Sequence, residues 1–109
     1  ARAIVKLREE HRQRILDQGK NTAKALTLLE ELFFRPIVTG STVKDILGLV
    51  PSNANRYLTQ LVDLNILTEI SGKGRYRVFA YQPYLDLFSD DEVTGEDVTA
   101  IEEETKSQR

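Results

Sequence analysis

The residues with the most chemistry to offer lie between positions 52 and 60: Ser52, Asn53, Asn55, Arg56, Thr59 and Gln60. On a helix these polar side chains fall together, opposite an apolar face made by Ala54, Leu58, Leu61 and Val62. Asparagine and glutamine amides can pair with adenine, and a guanidinium with guanine, along the major groove of DNA. Ser and Thr hydroxyls suit phosphate oxygens. A second set, Lys73, Arg75 and Arg77, occupies alternate positions and so shares one side of an extended strand. Such a cationic stripe fits phosphates or a narrow minor groove. The plainer readings are a solvated helix face and a hairpin tip kept soluble by its charges.

No comparable constellation supports catalysis. His11 is the single histidine, with no second ligand at metal-binding spacing, and is expected to be a packing or surface residue. Glu9–Glu10 and Glu30–Glu31 are neighbours on helices, so each pair diverges around its helix and cannot act as an acid–base dyad. Gly72 and Gly74 flank one lysine and form no phosphate-cradling loop. With no cysteine in 109 residues, disulfides and thiolate–zinc sites are excluded. The chain is therefore expected to be no enzyme and to need no metal or cofactor.

The elements that must position these side chains follow from periodicity. Ile4, Val5, Leu7, His11, Ile15 and Leu16 predict an amphipathic helix over 3–18, stopped by Gly19. Asn21 or Thr22 is expected to cap a second helix that buries Ala23, Leu26, Leu29 and Leu32–Phe34 and ends before Pro36. Ile37–Val38 reads as a short strand. Thr42–Val43–Lys44–Asp45 has capping-box form and predicts a helix start, with Val43, Ile46 and Leu47 inward and Gly48 as its end. Leu49–Val50–Pro51 makes a turn, Ser52 is the expected N-cap of the next helix, and Asn65 its left-handed stop. Leu67–Ile70 and Tyr76–Tyr81 read as strands joined by a flexible tip, and Pro83 begins a final short helix. Two helices at a tight turn followed by a basic hairpin is the outline of a winged helix.

Charge divides the chain unevenly. Residues 1–82 hold 13 Lys/Arg against 8 Asp/Glu, a net of +5, whereas residues 83–109 hold 2 against 9, a net of −7. A basic body with an acidic end is consistent with DNA binding in spite of an overall charge of −2. The acidic stretch from Ser89 is expected to be disordered. Two readings stand for it: a solvated tail without a partner, and a segment that folds over the basic body and competes with DNA. No apolar run or leader points to a membrane or to export, which fits a cytoplasmic protein. The chain lacks methionine and opens on Ala1, as a piece of a longer protein would, and as would a chain trimmed of its initiator methionine.

Several phrases of the sequence resemble the C-terminal region of bacterial Fic-family proteins, over about residues 3–88. They are LREEHRQRILDQG at Leu7–Gly19, then AKALTLLEELFFRPIV, SNANRYLTQLVDLNIL and GRYRVFAYQPYLDLF. Members commonly have glycine where this chain has Asn65. The resemblance implies a linker helix and a winged helix following a Fic domain that transfers AMP or a related group to a protein hydroxyl. The H-P-F-x-x-G-N-G-R motif of that activity is absent, and His11 does not match it because Arg12–Gln13 follow.

The expectation is thus an α+β winged helix-turn-helix with a linker helix (1–20), a winged-helix domain (21–88) and a disordered acidic tail (89–109). DNA is the expected partner, bound by Ser52, Asn53, Asn55, Arg56, Thr59, Gln60, Lys73, Arg75 and Arg77, with a role in transcriptional regulation or autoregulation. The rival expectation is a protein-interaction module that dimerises or holds a neighbouring Fic domain. The exposed stripe of Ile4, Val5, Leu7, Ile15 and Leu16 would serve that role.

Overall fold

A computed structural model describes residues 2–71 and 76–89. Five helices surround a small antiparallel sheet, in the order α1 (Arg2–Gln18), α2 (Thr22–Leu32), β1 (Ile37–Thr39), α3 (Gly40–Leu47), α4 (Pro51–Asp63), β2 (Thr68–Glu69), β3 (Val78–Ala80) and α5 (Gln82–Ser89). The class is α+β, mostly helical. β3 is the central strand, with Phe79 opposite both Val38 of β1 and Glu69 of β2. Disorder was expected from Ser89 onward; Ser89 instead ends α5, and residues 90–109 lie outside the described residues. Among the described residues no helix is long and apolar enough to cross a membrane, and no cluster of His, Asp or Glu could hold a metal ion.

Local chemistry explains most boundaries, in some places by a different residue from the one expected. α3 starts at Gly40, because Thr39 lies in extended backbone and its Oγ1 accepts the Thr42 amide at 3.2 Å. The Thr42 hydroxyl meets the Thr39 hydroxyl at 3.1 Å, so Thr42 is the third helical residue and not the cap. Asp45 is exposed on the next turn and pairs loosely with Lys44 at 3.7 Å. Nor does Ser52 cap α4: Pro51 occupies the first helical position, where its missing N–H costs nothing, and Val50 precedes it in extended conformation. Asn21 sits at the head of α2 with φ +54° and makes no side-chain cap bond. Gly48 ends α3 at φ +65°, as expected. α4 stops in a Schellman arrangement: the Asn65 amide donates to Val62 O, the Ile66 amide to Leu61 O, and Asn65 takes φ +60°. Leu61 and Ile66 are both fully buried, supplying the apolar contact that accompanies this motif.

The core lies where α2, α3 and α4 meet the inner face of β3, around Leu28, Leu32, Val43, Leu58, Leu61 and Phe79. α2 buries Ala25, Leu28, Leu29 and Leu32, leaving Ala23 and Phe34 exposed, a phase shift from the face expected. α1 contributes only His11 and Ile15 as buried residues, and Val5 and Leu16 point to solvent. Arg8 ties α1 to α2 through two hydrogen bonds to Glu30, at 2.6 and 3.1 Å, with its guanidinium beside the Phe33 ring.

The buried polar contact of the core is that between His11 Nδ1 and the Tyr81 hydroxyl, 2.7 Å apart. Burial pulls the His11 pKa down from 6.5 to about 4, assisted by Arg14 and opposed by Glu10. Burial likewise raises that of Tyr81, with Glu30 adding to the effect. The arrangement suits a neutral imidazole whose Nδ1 accepts the phenol proton. Between pH 6.5 and about 4 the unfolded chain binds a proton at His11 that the folded chain refuses. This contribution is complete above pH 6.5 and is lost as pH falls through about 4. Urea unfolding from pH 7 to pH 4 should show that loss in the wild type and a flatter profile for His11→Gln; parallel profiles would refute it. Tyr81→Phe, which leaves His11 unpaired, should cost about 1–3 kcal/mol in the same assay at pH 7.

Candidate nucleic-acid interface

α3 and α4 are joined by the short Gly48–Val50 turn, and the small Ala54, fully buried, lets them cross closely. Packing of Ala54, Leu58 and Leu61 into the core turns the opposite side of α4 to solvent. Ser52, Asn55, Arg56 and Thr59 are exposed there and Asn53 is half-buried. Arg56 has no ion-pair partner among the described residues, so its guanidinium is open to a ligand.

Gln60 departs from this face. It is only 8% exposed, and its Nε2 donates to Gln18 Oε1 at 2.7 Å and to the Lys20 carbonyl at 3.1 Å. The end of α1 and the turn into α2 cross this side of α4 and consume the amide. Gln60 is therefore a brace between α1 and α4, and it lines the clefts beside Arg56 as well.

A cleft runs along each flank of α4. On the α2 side Arg56, Tyr57 and Asn53 face Asn21 and Lys24 across about 280 Å³, and Lys20 and Thr59 border an adjoining space of about 380 Å³. Lys24 reaches the Leu47 carbonyl at the end of α3 at 3.3 Å. On the hairpin side, Asn55 and Pro51 face Ser41, Lys44, Tyr76 and Arg77 across about 420 Å³. Asn55 leans on Gly40: a Cβ there would stand 3.2 Å from Asn55 Oδ1, so glycine leaves that side chain its position. The polar face of α4 is thus bordered by Lys20 and Lys24 on one flank and by Lys44 and Arg77 on the other.

Of the three hairpin cations, Lys73 and Arg75 lie outside the described residues. Arg77 is described, and it is engaged: Nε and a terminal nitrogen donate to the two Glu69 oxygens at 2.8 and 2.9 Å, and the guanidinium lies 5.1 Å from the Phe79 ring centre. The hydrogen bonds from Arg77, with a smaller one from Ser71, hold the Glu69 carboxyl below its ordinary range. The Ser71 hydroxyl also accepts the Val78 amide, which fixes the hairpin base.

Sequence reading missed Lys20, Lys24, Ser41, Lys44 and Tyr76. They come from four separate segments, and no local spacing connects them with positions 52–60. A weak signal exists for Tyr76, an aromatic between two alternating arginines. No family model, curated protein or solved structure matches this chain, so the reading of this face rests on its geometry and chemistry.

Glu69 neutralises Arg77 at the edge of the face. Glu69→Gln should release that charge, raising affinity for polyanions such as heparin or duplex DNA at low salt and steepening the salt dependence by up to about one unit of log K per log salt. Retention on a heparin column and a salt titration measure it; an unchanged slope would show that Arg77 stands clear of the bound polyanion.

Proposed function

We propose that this chain is a winged-helix DNA-binding protein in which α4 enters the major groove and the β2–β3 hairpin is the wing. The observation that carries the reading is the face of α4 itself. Asn55 and Arg56 are adjacent, exposed and able to read base edges, and the cations of both flanking clefts border them. On a docked duplex those flanks lie along the sugar–phosphate strands, where Lys20, Lys24 and Lys44 neutralise phosphate charge. Asn55 and Arg56 supply sequence preference for adenine and guanine, Ser52 and Thr59 contact phosphate, and Asn53 supports the helix start. In this reading the chain regulates transcription, its own included.

The Fic-family resemblance supplies a context: the chain would be the regulatory appendage of a protein adenylyltransferase and would hold no catalytic residue of its own. A second reading, a module that dimerises or grips a neighbouring Fic domain, is favoured by one observation. Phe34 is 78% exposed and Ile37 and Val5 more than half, and none of these lines the clefts beside α4.

Fluorescence anisotropy of this chain with random-sequence duplex DNA across a salt series separates the two. Micromolar or tighter binding with a steep negative salt slope is the expected result. Absence of binding at low salt, both in the full chain and after removal of residues 90–109, would leave the interaction module. Once a preferred site has been selected, Arg56→Ala should lose about 1–3 kcal/mol of discrimination at one base pair.

A further inference from the structure

Tyr76 is 81% exposed, whereas the other three tyrosines are half-buried or buried. Its ring helps to form the cleft between the head of α3 and the base of the hairpin, with Pro51, Lys44 and Ser41 among the other walls. Two kinds of surface therefore meet in one space of about 420 Å³. One is apolar, from an aromatic ring and a proline ring. The other is polar and cationic, from a lysine, a hydroxyl and the Asn55 amide.

Lys44 is the cation with the greater freedom here. Among the described residues its Nζ has a loose contact with Asp45 at 3.7 Å, whereas Arg77 is committed to Glu69 by two short hydrogen bonds. A polyanion entering the cleft would therefore be met first by Lys44. The Ser41 side is exposed, and its hydroxyl can donate to the same oxygen. An exposed tyrosine beside a lysine suits a ligand with a hydrophobic ring flank and a charged group a few ångströms away. A deoxyribose with its phosphate has that composition.

We propose that this cleft seats one sugar–phosphate unit of the bound DNA strand: the phosphate between Lys44 and Ser41, the deoxyribose against the Tyr76 ring. The inference rests on the DNA-binding reading of α4 and names a backbone contact that this reading does not require. The seat carries no sequence information. It sets the register of α4 in the groove by holding a strand at a fixed distance from Asn55.

Salt-dependent anisotropy with wild type, Lys44→Ala, Tyr76→Ala and Tyr76→Phe tests it, the three variants having exposed or half-exposed substitution sites and a fold checked by thermal melting. Lys44→Ala should weaken binding to all duplex sequences alike and reduce the salt slope by about one unit. Tyr76→Ala should weaken binding roughly five- to tenfold, the size of one aromatic packing contact, with the slope unchanged. Tyr76→Phe should keep most of the affinity, because the ring face and not the hydroxyl makes the contact. If the wild type binds with a steep slope and both alanine variants match it, the seat is overturned and the role of α4 stands. If the wild type binds no duplex, both fall together.

Discussion

Four parts of the chain converge on Tyr81, and the arrangement of the rest depends on that convergence. Its amide donates to the Pro36 carbonyl at 2.7 Å, closing the sheet at the foot of β1, and its own carbonyl accepts the Tyr84 and Leu85 amides that open α5. Its hydroxyl meets His11 on α1. Its ring packs edge-on against Phe33 at the end of α2 and stacks with Tyr84. A phenol in an apolar core needs a hydrogen-bond partner, and the helix that provides one is the first in the chain. α1 is thereby held over α2, and its far end reaches the side of α4, where Gln18 and Lys20 occupy the Gln60 amide.

That chain of contacts explains why the polar side of α4 divides into two roles. Residues facing α1 and the following turn are spent on internal hydrogen bonds, and residues facing away keep their donors. The boundary falls between Arg56 and Gln60, one turn apart on the same helix. Charge is divided in the same manner at the hairpin, where Glu69 occupies Arg77 while Lys44 across the cleft stays accessible. Formal positive charge along the sequence is therefore a poor guide to the charge a ligand would meet.

Much of the fold was legible in the sequence because it is dictated locally. Gly48 and Asn65 mark backbone that must turn left-handed, and the apolar periods over 43–47 and 54–61 fix two helices. Other features depend on a distant partner or on a neighbour that performs the role better. Thr39 caps α3 because the strand delivers it in extended backbone, a geometry that the T-V-K-D phrase three residues later gives no hint of. Pro51 makes a serine cap unnecessary. The burial of Gln60 depends on α1, some forty positions earlier, and the engagement of Arg77 on a residue of the opposite strand. Of the candidate interface, the exposed members of α4 could be read from periodicity. The lysines around it could not, since only folding brings them there.

Thr39 closes β1 and, as the next residue begins α3, caps it; no linker separates strand from helix. The same residue pairs with Val78 of the hairpin. Mechanically this is a joint without slack: a pull on the hairpin is delivered through the β3–β1 pairing to the head of α3, with no loop to absorb it. An inserted residue anywhere from 37 to 41 would spoil both the sheet register and the cap, so this junction should resist length variation that the turn at 19–21 could accommodate. Hairpin and helix pair would consequently move against a bound surface as one rigid jaw rather than as two hinged fingers.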